Sequence, residues 1–146
     1  MNWQKEAIED LKNYKNLKEG IKSIKLRIRI LDDNLRAIKS GDFSEQKVQG
    51  GNKKNIDDKM IENIAQRERL SLTLKANEIL AERIEQGLQS LDDNERMVIV
   101  QLVINDKKNA IIELSRNLAY EKSKIYTLRN EALKKFTKFM YGITEF

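Results

Sequence analysis

Two runs of apolar residues, spaced alternately three and four apart, constrain this chain more than anything else in it. The first takes Tyr14, Leu17, Ile21, Ile24, Ile28, Leu31, Leu35 and Ile38; the second takes Leu70, Leu74, Asn77, Ala81, Ile84, Leu88 and Leu91. A period near 3.5 keeps one side of an α-helix apolar along its length, so each run predicts a long helix with a seam. Between them the text SGDFSEQKVQGGNKKN offers no packed face, and with Gly41, Gly50 and Gly51 it predicts a flexible loop over about 40–55. Two seams of similar length joined by such a loop make an antiparallel, coiled-coil-like helical hairpin the simplest arrangement, with an intermolecular coiled coil as the alternative. Asn77, polar at a seam position, either fixes register or partner number at some cost in stability, or sits solvated at a hairpin edge.

Local signals divide these helices further. Trp3, Ala7, Leu11 and Tyr14 mark the inner side of an opening helix, and Gly20 is where that helix would break from the long one. The second helix is expected to resume near Ile56, with Asn55 as cap, Asp57 and Asp58 in its first turn, and Met60, Ile61 and Ile64 opening its inner side. Gln86-Gly87 and Ser90 loosen it before Leu91. A hinge or change of direction is therefore expected between Gly87 and Asp93, dividing the chain into an interaction region, 1–90, and a C-terminal domain, 91–146.

Composition limits the chemistry. The 146 residues contain no proline, no cysteine and no histidine, with 40% hydrophobic and 35% charged residues. This describes a helix-rich chain, and the one β-rich run, MVIVQLVI from Met97 to Ile104, reads as a buried helix started by Asp92 and Asp93, with a buried strand as the alternative. Without cysteine there is no disulfide framework or thiolate zinc site, and without histidine the commonest general base and metal ligand is gone. The pairs Asp57-Asp58 and Asp92-Asp93 do not converge on an ion, because adjacent helical residues point about 100° apart. Gly50-Gly51 lacks the flanking strand and Lys-Ser/Thr of a phosphate loop. The chain reads as a binder rather than an enzyme, with no metal and no cofactor. No apolar run approaches the roughly 20 residues of a membrane span and MNWQKEAIEDL is too polar for a signal peptide, so a cytoplasmic location is expected.

The net charge of +5 is modest but concentrated. Lys122, Lys124, Arg129, Lys134, Lys135 and Lys138 crowd one segment against Glu131 alone, a balance that favours a polyanion. In the stretch from Lys107 to Met140, Leu114, Leu118, Tyr120, Ile125 and Leu128 step by 4, 2, 5 and 3. That is one helical face, a short break and a second face: a helix from about Asn109 to Leu118, a turn over Ala119 to Lys122, and a helix from Ser123 through Met140. The inward stripe of the second helix would be Ile125, Leu128, Ala132, Phe136 and Phe139, and Gly142 would end it. Two helices across a tight turn are the arrangement that lays one helix in a DNA major groove.

LDDNERMVIVQLVI followed by IIELSRNLAYEKSKIYTLRNEALKKF resembles the promoter-reading C-terminal domain of sigma-70 factors, region 4, in which a helix opening with a Leu-acidic-x-x-x-Arg phrase precedes the helix-turn-helix. The nearest group is the small phage regulators typified by ArpU and RinA, which pair such a domain with a long helical N-terminal part. The motif resemblance covers about Leu91 to Met140; over the first ninety residues it is architectural. Three positions depart from the pattern. Ser115 stands where the family usually has Ala, facing the other helix closely. Ala119 stands where it usually has Gly, since the turn requires positive φ, and Ala there costs of order 1 kcal/mol. The usual Ser or Thr cap of the second helix is replaced by Glu121 or shifted to Ser123.

The resemblance implies an all-α protein, a helical hairpin followed by a sigma-70 region 4-like helix-turn-helix, and a phage or prophage transcriptional regulator that binds double-stranded DNA. By resemblance and helical facing, base edges would be met by Glu121, Lys122, Ser123, Tyr126, Thr127 and Asn130. Lys124, Arg129, Lys134 and Lys135 would hold backbone phosphates, which give affinity and register without sequence information. The hairpin would contact a second copy, as a homodimer through the heptad helices, or RNA polymerase. Each of these side chains also has the plainer role of solvated helix surface. The competing reading is a helical interaction module that has lost DNA binding and contacts polymerase or another regulator, motivated by near-balanced charge outside the last helix and by Ala119 and Glu121. A purely structural coiled coil leaves the helix-turn-helix spacing unexplained.

Overall fold

The computed structural model describes residues 2–40 and 53–143, the side chains of 53 and 54 excepted, and among them every regular element is helical. Helix α1 is Trp3–Ser40 and α2 is Lys53–Gln89. Helix α3, Asp93–Ile99, passes into a π-helical turn over Val100–Ile104; α4 is Ala110–Leu118 and α5 is Lys122–Tyr141. The β-rich run is therefore helical. The expected loop falls mostly on 41–52, outside the described residues.

Helix α1 starts where the Asn2 side-chain oxygen accepts from the Lys5 amide at 3.1 Å, satisfying one of the unpaired donors of its first turn. It then runs unbroken through Gly20, contrary to the break expected there. One glycine costs a helix only about 1 kcal/mol, which the flanking turns absorb. Helix α2 also starts earlier than expected, at Lys53, so Asn55 lies within it rather than capping it, and Asp57 and Asp58 fall past its first turn.

The described chain forms two compact units, Glu19–Glu78, and Met1–Lys18 with Ile79–Phe146. In the first, Ile21, Leu31 and Leu35 are buried and Ile24, Ile28, Leu70 and Leu74 half-buried, as the seams require. Upstream of Leu70 the buried side is not the one read from hydrophobicity. Ile61 and Ile64 are exposed, and Asn63 is buried, its Nδ2 donating to the Leu31 carbonyl at 2.8 Å. The alternation of three and four continues backwards from Leu70 through Arg67, Asn63 and Met60; two of those residues are polar, which hides the seam. Arg67 pairs with Asp32 at 3.3 Å, and Asp32 also meets Arg36 at 3.2 Å. Asn77 is half-buried at its seam position.

The second unit is the larger core. Ala7 and Leu11 of α1, Ile84 and Leu88 of α2, Leu91, Ile99, Val103, and Ala132, Leu133, Phe136 and Met140 of α5 form one cluster. The chain does turn after α2, at Ser90 and Leu91, but the core does not divide there. The ends of α1 and α2 belong with the C-terminal helices, so a boundary at residue 90 would cut through packed side chains. Gly87 explains part of this. Rather than loosening α2, it lets α5 approach: a Cβ at Gly87 would stand 2.7 Å from Phe136 Cε2 and 2.9 Å from its Cδ2. On α5 the buried stripe runs through Leu133, Thr137 and Met140 beside Ile125, Ala132 and Phe136, while Phe139, expected inside, is exposed.

Polar contacts fasten this core at its rim. Tyr14 donates to Glu85 Oε1 at 2.6 Å, and Lys18 reaches the same oxygen at 3.0 Å. Burial first, then Glu85, pushes the Tyr14 hydroxyl up to about 12, while the Tyr14 and Lys18 hydrogen bonds hold Glu85 below the ordinary carboxylate value. Tyr141 donates to Asp10 and lies against Trp3 with ring centroids 5.0 Å apart; Arg83 donates to the Met140 carbonyl. Burial and the Asp10 bond raise Tyr141 well above an ordinary tyrosine.

The Leu-acidic-x-x-x-Arg phrase opening α3 acquires a physical reading. Leu91 is buried in the core. Asp92 caps α3, its Oδ1 accepting from the Glu95 amide at 2.8 Å while Glu95 Oε1 accepts from the Asp92 amide at 3.2 Å, a reciprocal capping box. Arg96 reaches back to the end of α2, donating to the carbonyls of Leu88 and Leu91 at 2.9 Å each and of Gln89 at 3.3 Å. They lie where the helix end runs out of amide donors, and of them the Leu88 carbonyl also accepts from the Leu91 amide at 3.2 Å. One guanidinium thus fixes the angle between α2 and α3.

Candidate functional site

Helices α4 and α5 pack on α3 through Val98, Leu114 and Ile125, all fully buried, with Ile111, Leu118, Tyr120 and Leu128 around them. The connection between α4 and α5 spans three residues, and its geometry is set by Ala119, whose φ of 57° and ψ of 37° place it in the left-handed region. Positive φ at this position is what the sequence reading required, although alanine must bear it without glycine's freedom. Ser115 supplies support. Its hydroxyl donates to the Tyr120 carbonyl at 2.5 Å while the Tyr120 amide donates to the Ser115 carbonyl at 3.2 Å, closing the turn from both sides. The serine that departs from the expected alanine is thus a bonded member of the turn. Glu121 then occupies the cap position of α5 with extended backbone and no side-chain bond to the helix, so Ser123 lies inside the first turn and caps nothing.

Past the turn, α5 presents its N-terminal half to solvent. Glu121, Lys122, Ser123, Tyr126, Thr127 and Asn130 are all exposed, Tyr126 by 52%. Ser123, Tyr126, Thr127 and Asn130 are spaced 3, 1 and 3 and so share one face. The Thr127 hydroxyl donates to the Ser123 carbonyl at 3.1 Å. Lys134 lies exposed one turn further along that face.

The remaining basic residues separate by role. Lys124 stands 3.9 Å above the Tyr120 ring, a cation-π contact that steers its ammonium along one flank. Lys135 is exposed but engaged: its Nζ is 2.9 Å from Oε2 of Glu95, a residue only 2% exposed. The hydrogen bond that the Lys135 ammonium donates to Glu95 is the main reason it is held above its ordinary value, and the Glu95 amide is the main reason Asp92 is held below its own. Lys135 therefore neutralises a buried acid that capping requires. Hydropathy alone gave no sign of this, but the Asp92-x-x-Glu95 spacing of a capping box was in the sequence.

Arg129 is half-buried and lines an open groove on the other flank of α5. Leu102 and Ile111 are its apolar part, Tyr126 and Arg129 its α5 side, and Asp106, Lys107 and Lys108 its outer rim. Asp106 has a φ of 45°, and this left-handed residue turns the chain between the π-helical segment and α4, bringing the two lysines beside Arg129. Lys107 and Lys108 have no part in the sites expected from the sequence. Their signal was adjacency of two cations to the start of a helix that packs on α5.

Residues 37–137 match the model of a family described as a protein of unknown function, DUF1492. The chain belongs to that family. Its match in the DUF1492 family runs from the last turn of α1 into α5, taking in the whole α4–α5 turn, the exposed face of α5 and the groove rim. No curated protein and no solved structure matches the chain. Among the described residues of this DUF1492 member, no group of three or more acidic side chains gathers as a metal site, and no helix is long and apolar enough to cross a membrane.

Proposed function

We propose that this chain is a sequence-specific DNA-binding transcriptional regulator, in which α4 and α5 act as a sigma-70 region 4-like helix-turn-helix and the paired segments of α1 and α2 form a helical hairpin that contacts a partner. The observation that carries this reading is the left-handed Ala119 turn, closed by Ser115, leading into a helix whose first nine residues expose lysine, serine, tyrosine, threonine and asparagine on its outer side. Those side chains suit base edges: Lys122 guanine, Glu121 the cytosine amine, Asn130 adenine, and Tyr126 and Thr127 a thymine methyl or a phosphate. Lys124, Arg129 and Lys134 flank them with positive charge for the backbone. One such domain reads a short site, so a partner, a second copy or RNA polymerase, would supply the rest of the specificity. A phage-type regulator of the ArpU and RinA kind fits this organisation.

A second reading is favoured by a separate observation. Leu26, Ile30, Ile61, Ile64 and Leu72 are exposed, Leu72 by 71%, which suits a helical module working through protein contacts with polymerase or another regulator and not through DNA. Selection from random duplex DNA at near-physiological salt separates the two. The DNA reading expects a defined motif, and the double variant Lys122→Ala/Tyr126→Ala is expected to bind with relaxed preference while melting like the wild type. A folded protein that enriches no motif would sink it in favour of the interaction module.

A further inference from the structure

We infer that the groove beside α5 is a clamp for one backbone phosphodiester of duplex DNA, held by Lys107, Lys108 and Arg129 with the Tyr126 hydroxyl as a neutral donor. The inference rests on the DNA-binding reading and adds to it a site and a role. Lys107 and Lys108 form no ion pair among the described residues, and the polar contact of the Arg129 guanidinium is a 3.5 Å bond to the neutral Asn130 side chain. Three cations thus face one groove with the Asp106 carboxylate as their single opposing charge. Leu102 and Ile111 make the wall behind them apolar, which focuses the field on an anion in front.

The chemistry selects an anion. A carboxylate and a phosphodiester each spread one negative charge over two oxygens that an arginine and a lysine can share, so the kind of anion is set by where the groove lies. The position selects a polymer. Tyr126 belongs both to the groove and to the outer face of α5, so a phosphate held here lies one side chain from the residues available to bases. Binding it fixes how far α5 is rotated about its own axis when the outer face meets a base pair. Lys135, by contrast, is occupied by Glu95 at 2.9 Å, so the flank carrying Arg129 is the better equipped for this task.

The test is DNA binding by the full chain as a function of salt, on a selected sequence and on a scrambled one. The variant Lys107→Ala/Lys108→Ala removes two exposed side chains and is expected to melt like the wild type. The slope of log affinity against log salt should fall by up to about 0.9, since the variant weakens or removes one phosphate contact. Affinity should fall by the same factor on both sequences. Asp106→Asn keeps a residue tolerant of positive φ while removing the opposing charge, and should tighten binding several-fold on both. An unchanged salt slope in the double variant, with the wild type binding normally, would overturn the clamp and leave the DNA reading standing. A wild type that binds no duplex would overturn both. Binding of millimolar inorganic phosphate in the groove with no effect on DNA affinity at constant ionic strength would also overturn it, assigning the groove to a free anion.

Discussion

Replacing Ala119 with glycine isolates the strain in the turn between α4 and α5. At φ 57° an alanine Cβ crowds the following carbonyl oxygen, at a cost of roughly 1–2 kcal/mol that glycine avoids. Glycine gives some of this back, because it frees the unfolded chain by about 0.4–1 kcal/mol. The methyl is exposed, so no packing is lost with it. The Ser115 hydroxyl bonds the Tyr120 carbonyl and the Tyr120 amide bonds back, so neither partner depends on the residue substituted. The net expectation is a stabilisation of about 0.5–1 kcal/mol, or roughly 1–4 °C in melting temperature for a chain of this size. Thermal and urea unfolding followed by circular dichroism would measure it, with Ala119→Val as the opposite arm, since a β-branched residue tolerates positive φ less well than alanine. If Ala119→Gly melted at or below the wild-type temperature while Ala119→Val was neutral, the residue would not be left-handed in solution. The three-residue turn would then need another account.

Two other glycines should respond in opposite directions. Gly20→Ala is expected to stabilise by up to about 1 kcal/mol, because a Cβ there meets nothing within 4 Å and helix propensity acts alone, whereas Gly87→Ala should destabilise by roughly 1–2 kcal/mol as the new methyl presses on the fully buried Phe136 ring; equal effects in a melting series would contradict both. The Tyr14–Glu85 pair predicts a pH signature. Tyr14 is raised from 10.0 to about 12, so its contribution is complete below pH 10 and is lost between about pH 10 and 12; Glu85 is lowered from 4.5, so its share is present above that value and lost as pH falls through its depressed pKa. In unfolding curves across pH, Tyr14→Phe should reduce the alkaline limb, leaving the share of the raised Tyr141, and should flatten the acid limb only in part, because Lys18 still reaches Glu85 at 3.0 Å; an unaltered alkaline limb would show that the hydroxyl is not held as described.

The helical class, the capping of α3 by Asp92, the α4–α5 turn at Ala119 and the end of α5 at Gly142 were legible because each has a local cause. An apolar period, a capping side chain or a position requiring positive φ can be read from a few neighbouring residues. What was misread depended on distant partners. Asn63 sits in the seam because the Leu31 carbonyl, thirty-two residues away, accepts from it, and no local pattern distinguishes it from the more apolar Ile61 and Ile64 beside it. Gly87 looks like a helix breaker until Phe136 arrives against it. The cluster that runs across residue 90 was hidden for the same reason. Ala7 and Leu11 pack with Phe136 and Met140, across more than 120 residues of chain, and nothing near Ala7 announces that. In the candidate site five of the six residues assigned to bases lie exposed on α5 and Glu121 lies exposed at its cap, since facing follows from spacing once the inner stripe is known, whereas the fate of Lys135 turned on Glu95, forty residues upstream.

That difference bears on how basic residues should be weighed in the proposed interface. Six cations crowd α5, but a count of charge overstates what is available to DNA. Lys135 neutralises a carboxylate that is itself needed at the start of α3, and removing the lysine would leave Glu95 buried and uncompensated. Lys135→Ala should therefore lower stability as well as any DNA affinity, while Lys134→Ala, at an exposed neighbour, should lower affinity alone. Glu95→Gln separates the two effects: the amide oxygen can still accept from the Asp92 amide, and Lys135, no longer needed for neutralisation, becomes free to meet phosphate. If Lys135 is structural in the wild type, Glu95→Gln should steepen the salt dependence of DNA binding by up to about 0.9 even as it lowers the melting temperature. A variant that lost stability with no change in slope would show that Lys135 cannot reach the DNA backbone from its place on α5, whatever its charge.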